Sequence, residues 1–472
     1  MTGMLLSSGS SGSSSTLSRW APVASLYMLL LSLSATAAAA QPEHTGPLTY
    51  PVAMLSQPSV AVKINGITRQ LVIDSGSPDT FVYTKGIACI SPNLTPANNC
   101  TFGDDQYSGT FERVDGVVFN QTYGTNQQLS GPFGYASIEV AGITISKQRI
   151  AFVDRSTSNT IPGDGILGMA PGGIMEAAWK GNNATTVQVG PENQVKYPTV
   201  FESMYNSSSP LIKKPFWSFA LNRDSSTGSI GFGASVPEAA NVTSWISAPF
   251  TSVHFKGDNS TNNYYTIQPD GFELAGKRVS TDYPLVVDTG TFVNRLPDDI
   301  ADKFNAAFDP PAQFNSTYQI YGTSCDAKVP DFALIIGGKL FKPSTKDMLQ
   351  PLSPGDKSIC VTAITKSFNN LGNENIFPQG LQVLSDMFLN SVVTEFDLGK
   401  KEVRFGLRAS SPSSTGQGGN GTSTSTPTTA SLSSSVVASS PSTPTNAKSD
   451  AGKVAFSVMP YLAVFASMLV LS

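Results

Sequence analysis

Asp74 and Asp288 stand in near-identical surroundings, Leu71-Val72-Ile73-Asp74-Ser75-Gly76-Ser77 and Leu285-Val286-Val287-Asp288-Thr289-Gly290-Thr291. Each stretch is three apolar residues, an aspartate, a hydroxyl residue, a glycine and a second hydroxyl residue. The two lie 214 positions apart, and Asp-Ser/Thr-Gly occurs nowhere else in the 472 residues. A single copy reads as a strand ending in a turn. The duplication points to chemistry by two facing carboxylates. Two carboxyl groups held close together cannot both ionise, so they share one proton and can hold a water between them. One group then takes the water's proton while the other donates to a scissile carbonyl oxygen. Ser77 and Thr291 are placed to reach the outer carboxylate oxygens and fix their orientation. Such a site needs no side-chain nucleophile, no metal and no cofactor. The chain has two histidines, His44 and His254, in no ligand spacing, which argues against Ser-His and zinc mechanisms.

An apolar strand must carry each aspartate to the floor of a cleft, and the sequence supplies strands in quantity. Ser59-Val60-Ala61-Val62-Lys63-Ile64 and the stretch from Tyr135 to Ile145 alternate as half-buried strands do. Candidate helices are short, from Pro297 to Phe308 and from Tyr197 to Tyr205. The expected class is mostly β. The part between the two ends is too long for one small core and suits two lobes. With 14% charged residues and a net charge of −4, no basic surface offers itself to nucleic acid.

Beyond the duplicated motif, the chain from about Val60 to Leu407 resembles the two-lobed, pepsin-like aspartic endopeptidases. Tyr123-Gly124-Thr125 looks like that family's flap, a hairpin whose tyrosine closes over substrate. Asp164-Gly165-Ile166-Leu167-Gly168 looks like the segment packed beside the first catalytic loop. Trp217 to Leu221, Gly228 to Gly233, Val383 to Leu389, Val393 to Asp397 and Val403 to Gly406 follow in the family's order. The resemblance implies a cleft between the lobes, polypeptide substrates, a monomer, and apolar subsites that include Val72 and Ile166. It also implies two local disulfides, Cys89 with Cys100 and Cys325 with Cys360. The chain departs from the family at Phe81, where a tryptophan usually hydrogen-bonds the flap tyrosine, and at Ser385, where glycine is usual. The stretch after Ala40 is too short for the basic prosegment of many relatives.

Both ends read as targeting rather than fold. Residues 1–40 carry an apolar run and then Ala35 to Ala40, as a secretion signal would. The lobes are then expected at 41–235 and 236–408. Residues 409–450 are dominated by Ser, Thr, Pro, Gly and Ala and read as a glycosylated, unfolded stalk. Residues 451–472 read as a removable anchor signal, because small residues near Ser449, the expected attachment point, precede an apolar run with no charge after Lys453. A membrane-spanning helix would ordinarily be followed by Lys or Arg. Asn-X-Ser/Thr sequons at Asn93, Asn99, Asn120, Asn183, Asn206, Asn241, Asn259, Asn315 and Asn420 agree with secretory passage. A pepsin-like unit with an anchor signal most resembles the yapsin-type surface proteases of fungi, on the outer face of the plasma membrane or in the wall. Two other classes compete: an inactive pepsin-like binding or inhibitor protein, which would be expected to lose part of the dyad, and a structural wall glycoprotein, which would be expected to show repeats.

Overall fold

A computed structural model describes residues 44–49, 57–90, 106–123, 127–157, 163–173, 176–190, 192–222, 226–252, 264–279, 283–352, 358–367, 382–408 and 470–471. The fold is mostly β and two-lobed. In the first lobe Ser59–Ile64 hairpins with Ile67–Asp74. The latter is exposed at every second residue up to Gln70, and its last four residues, beginning with Leu71, are all buried. That change marks where the strand dives from surface to cleft floor. Beside it runs Gly165–Gly168, parallel, with Val72 opposite Ile166 and Asp74 opposite Gly168. The second lobe repeats the device: Leu285–Val287 pairs in parallel with Gln382–Leu384, which brings Val287 opposite Leu384.

Residues on either side of position 235 share one sheet. Phe216–Asn222 pairs on one edge with Thr227–Phe232 and on the other with Val392–Asp397, which in turn pairs with Glu402–Arg408. The lobes are therefore joined by continuous backbone hydrogen bonding, reinforced by Trp217 stacked on Phe396 at 4.0 Å between centroids. The helices are shorter than their sequence pattern. Asp298–Ala306 starts after Pro297, and Val200–Tyr205 starts after Thr199, whose side chain forms a capping box with Glu202. Tyr197 thus lies outside that helix. The alternation from Tyr135 to Ile145 is two strands, Gln128–Val140 and Ile143–Ser156, because Ala141 and Gly142 turn the chain at positive φ.

Cys325 is bonded to Cys360. Cys89 is also disulfide-bonded, and Cys100 lies outside the described residues. Asn183, Asn206 and Asn241 are exposed and Asn315 is half-buried. Asn120 is 7% exposed; its amide nitrogen donates to Ala184 O at 2.8 Å and its oxygen accepts from Gln128. Asn93, Asn99, Asn259, Asn420, Ser449 and the flap tip residues Gly124 and Thr125 lie outside the described residues, as do 1–40 and 409–469.

Candidate active site

The two aspartate loops meet, and their hydroxyl residues clasp each other across the meeting point. Ser75 N–H donates to Thr289 Oγ1 at 3.1 Å and Thr289 N–H donates to Ser75 Oγ at 2.9 Å. Each hydroxyl then donates into the other lobe's strand, Ser75 Oγ to Val287 O and Thr289 Oγ1 to Ile73 O, both at 2.8 Å. All four groups are buried, so each bond also prevents an unsatisfied polar group. The carboxyls are held in the same way on both sides. Asp74 Oδ1 accepts Gly76 N–H and Asp288 Oδ1 accepts Gly290 N–H, each at 2.8 Å. The outer oxygens, Oδ2, accept the hydroxyls of Ser77 and Thr291.

Glycine is required at both turns by close approach. A Cβ on Gly76 would lie 2.8 Å from the Asp288 carboxyl carbon, and one on Gly290 would lie 2.6 Å from that of Asp74. The two carboxyls are hydrogen-bonded to each other and fully buried. Burial pushes both above the usual carboxylate range; the charge of Asp288 pushes Asp74 further, while hydrogen bonds from Thr291 and Gly290 restrain Asp288. Two carboxyls this close titrate as a pair rather than singly.

Above the pair, Glu112–Tyr123 and Gln128–Val140 form a hairpin closed by Tyr123 N–H donating to Gln127 O at 2.9 Å. Tyr123 is buried, near enough to Asp74 to feel its charge, and its hydroxyl has no hydrogen-bond partner among the described residues. Phe81 lies beside it, rings 6.5 Å apart, and can donate nothing. Val72, Ile166, Phe81 and Tyr123 belong to one apolar cluster lining this side. Ser385, where glycine was expected, is accommodated: its hydroxyl donates to Phe292 O at 2.9 Å and caps the short helix Asp386–Leu389.

Sequence reasoning missed three groups, two of them buried and one half-buried. Asp386 sits at the start of that helix, within the field of both aspartates, with neither carboxyl oxygen hydrogen-bonded among the described residues; burial first, then the two charges, push it well above the usual carboxylate range. Asp79, five residues after Asp74, is buried against Tyr197 and Ala177. Gln57 donates its amide to Gly290 O. Among these, Asp386 alone lay within a segment already singled out, Val383 to Leu389, and no pattern there signals that its side chain is buried. Among the described residues, no cluster of three or more His, Cys, Asp or Glu could hold a metal ion.

A model of the family described as eukaryotic aspartyl protease matches residues 59–408. A probable aspartic-type endopeptidase of Aspergillus fumigatus is 28% identical over 364 residues, 74% of this chain and 78% of that protein. The acid protease of Saccharomycopsis fibuligera is 24% identical over 73% of this chain and 78% of its own. In three dimensions the chain is similar to an aspartic proteinase from Irpex lacteus, with a TM-score of 0.57 at 17% identity, covering 77% of this chain and 98% of that one. At that identity the likeness bears on the fold alone.

Proposed function

Because the chain belongs to the eukaryotic aspartyl protease family and is an aspartic-type endopeptidase, we propose that Asp74 and Asp288 are its catalytic dyad, working at acidic pH. The observation that carries this assignment is the convergence of two equivalent loops on one buried, proton-sharing carboxyl pair. A water held by the pair loses a proton to the ionised carboxyl as its oxygen attacks the scissile carbonyl carbon. The protonated carboxyl donates to the carbonyl oxygen, giving a neutral tetrahedral diol. Its collapse returns a proton to the departing amine. Ser77, Thr291, Gly76 and Gly290 hold the carboxyls in place, which limits reorganisation as charge moves. Tyr123, with Gly124 and Thr125 at the hairpin tip, would cover the bound peptide, and Val72 and Ile166 would contact its side chains.

Hydrolysis of a peptide library at acid pH, blocked by a hydroxyl-bearing mimic of the diol, is the expected result, with the mimic bound at least ~100-fold more tightly than a matched peptide. Peptide binding without cleavage would instead support the inactive, binding-protein alternative.

The finer part of the proposal is display on the outer cell surface or wall through a glycolipid. The Ser/Thr/Pro-rich stretch 409–450 and the uncharged apolar stretch 454–471 support it, as do the disulfide and the exposed sequons. Among the described residues, no helix is long and apolar enough to cross a membrane. A phospholipase specific for glycolipid anchors should release activity from intact cells. Retention after that treatment, with peptide 454–471 still present in the membrane form, would contradict anchoring.

A further inference from the structure

The chain between Ala177 and Tyr197 is no part of the dyad, yet it is fastened both to the first aspartate loop and to the flap. Asp79 accepts one bond at each oxygen: Ala177 N–H at 2.8 Å and Tyr197 O–H at 2.5 Å. The beginning and the end of the segment are thereby pinned to a single buried carboxyl. From that pin Ala178–Lys180 runs antiparallel along the outer edge of the flap strand Glu112–Tyr123, with Trp179 opposite Val118. The return stretch closes on it, Val195 N–H donating to Ala178 O at 2.8 Å and Lys180 N–H to Asn193 O at 2.8 Å. Side chains lock the attachment. Trp179 Nε1 donates to Asn120 O at 2.8 Å, and Asn120 Nδ2 donates to Ala184 O at 2.8 Å. Asn120 is on the flap strand, three residues from Tyr123.

This fastening matters because the Tyr123 hydroxyl has no hydrogen-bond partner among the described residues. A hairpin without that tether is free to swing unless something holds its outer edge. We infer that the segment between Ala177 and Tyr197 is a strap that positions the flap from outside. Asp79 is the positioning residue that ties the strap to the loop bearing Asp74. Neither touches substrate, so the strap governs how readily the flap closes on a peptide, and hence the Michaelis constant, while leaving the bond-breaking step to the dyad. The inference rests on the dyad-and-flap reading above.

The test uses two small changes in the full protein. Tyr197→Phe removes one oxygen from the pin, and Trp179→Phe removes the indole donor while keeping an aromatic ring. Each should speed backbone hydrogen exchange at residues 117–120 at least about tenfold, the signature of a locally loosened strand. Each should raise KM about two- to tenfold, the range of one lost hydrogen bond, with kcat within about twofold of the parent. Asp79→Asn, which keeps one acceptor, should move both quantities in the same direction. All measurements are made well below each variant's unfolding midpoint, so that a loss of global stability alone moves neither. Unchanged exchange and unchanged KM in Tyr197→Phe and Trp179→Phe would overturn the strap, as would a fall in kcat at constant KM. The exchange arm needs no turnover, so an inactive parent enzyme would count against the dyad and leave the strap to be judged by exchange.

Discussion

Phe81 and Tyr123 are the pair at which single-residue chemistry departs most from the family pattern. A neutral hydrogen bond contributes about 0.5–1.5 kcal/mol net, so restoring a donor with Phe81→Trp should raise kcat/KM by less than about tenfold. Tyr123→Phe should cost little in the parent, where the hydroxyl already lacks a partner, and more in the Phe81→Trp background. Equal costs in both backgrounds, measured as a double-mutant cycle on kcat/KM, would show that the side chains are uncoupled. The meeting of Asp74 with Asp288 and the hydroxyls of Ser77 and Thr291 on them could be anticipated from the sequence because duplication makes a local motif stand out. Asp386, Asp79 and Gln57 could not, since their importance comes from burial and from contacts made across long sequence separations.

At the scale of elements, two strand-to-turn units hold each other by reciprocal hydroxyl bonds. Thr289 Oγ1 serves Ile73 O as donor and Ser75 N–H as acceptor. Thr289→Val keeps the shape and strands both groups in a dry environment, at about 1–3 kcal/mol for each group left unpaired. The urea midpoint should fall accordingly. Thr289→Ser, which keeps the hydroxyl, should lose little more than a methyl's packing. Equal stabilities of the Val and Ser variants would mean that the clasp contributes nothing. Strand identity was readable from alternation and β-branched content, whereas the break at Ala141-Gly142 shows only as a one-residue shift of phase, from Ala136, Ile138 and Val140 to Ile143 and Ile145. The helix starting at Val200 was placed three residues early, since Tyr197 continues the apolar spacing although its hydroxyl is engaged by Asp79. The pairing of Phe216–Asn222 with Val392–Asp397 was out of reach, because nothing local records which distant strand lies alongside.

For the whole molecule, the buried carboxyls set the pH range of stability. Burial raises Asp79 from 3.8 to about 7, against the hydrogen bonds of Tyr197 and Ala177, and Glu176 adds to the rise. Asp74, Asp288 and Asp386 are raised in the same direction, first by burial. A group whose folded-state pKa lies above its unfolded value binds its proton more tightly when folded. Its stabilisation is complete below the unfolded value and is lost as pH rises through the folded one. For Asp79 that window runs from about 4 to about 7, with a slope of about 1.4 kcal/mol per pH unit for each proton held only by the folded state. The protein should therefore be most stable in acid and lose unfolding free energy between pH 4 and 7. Asp79→Asn and Asp386→Asn should each flatten that decline. Urea midpoints that stay level or rise over this window would contradict the buried-carboxyl explanation. The direction suits an enzyme whose dyad works while singly protonated.

Each lobe supplies one carboxyl and half of its support, so neither aspartate should function alone. The most direct measurement is turnover of a cleavable peptide by Asp74→Asn and by Asp288→Asn, from pH 3 to 7, with folding checked by the cooperative urea transition of each variant. Each should lose at least about 1,000-fold in kcat, consistent with removing a group that acts in the transition state, and remain folded. Substantial turnover by either folded variant at any pH in that range would contradict the shared-proton dyad.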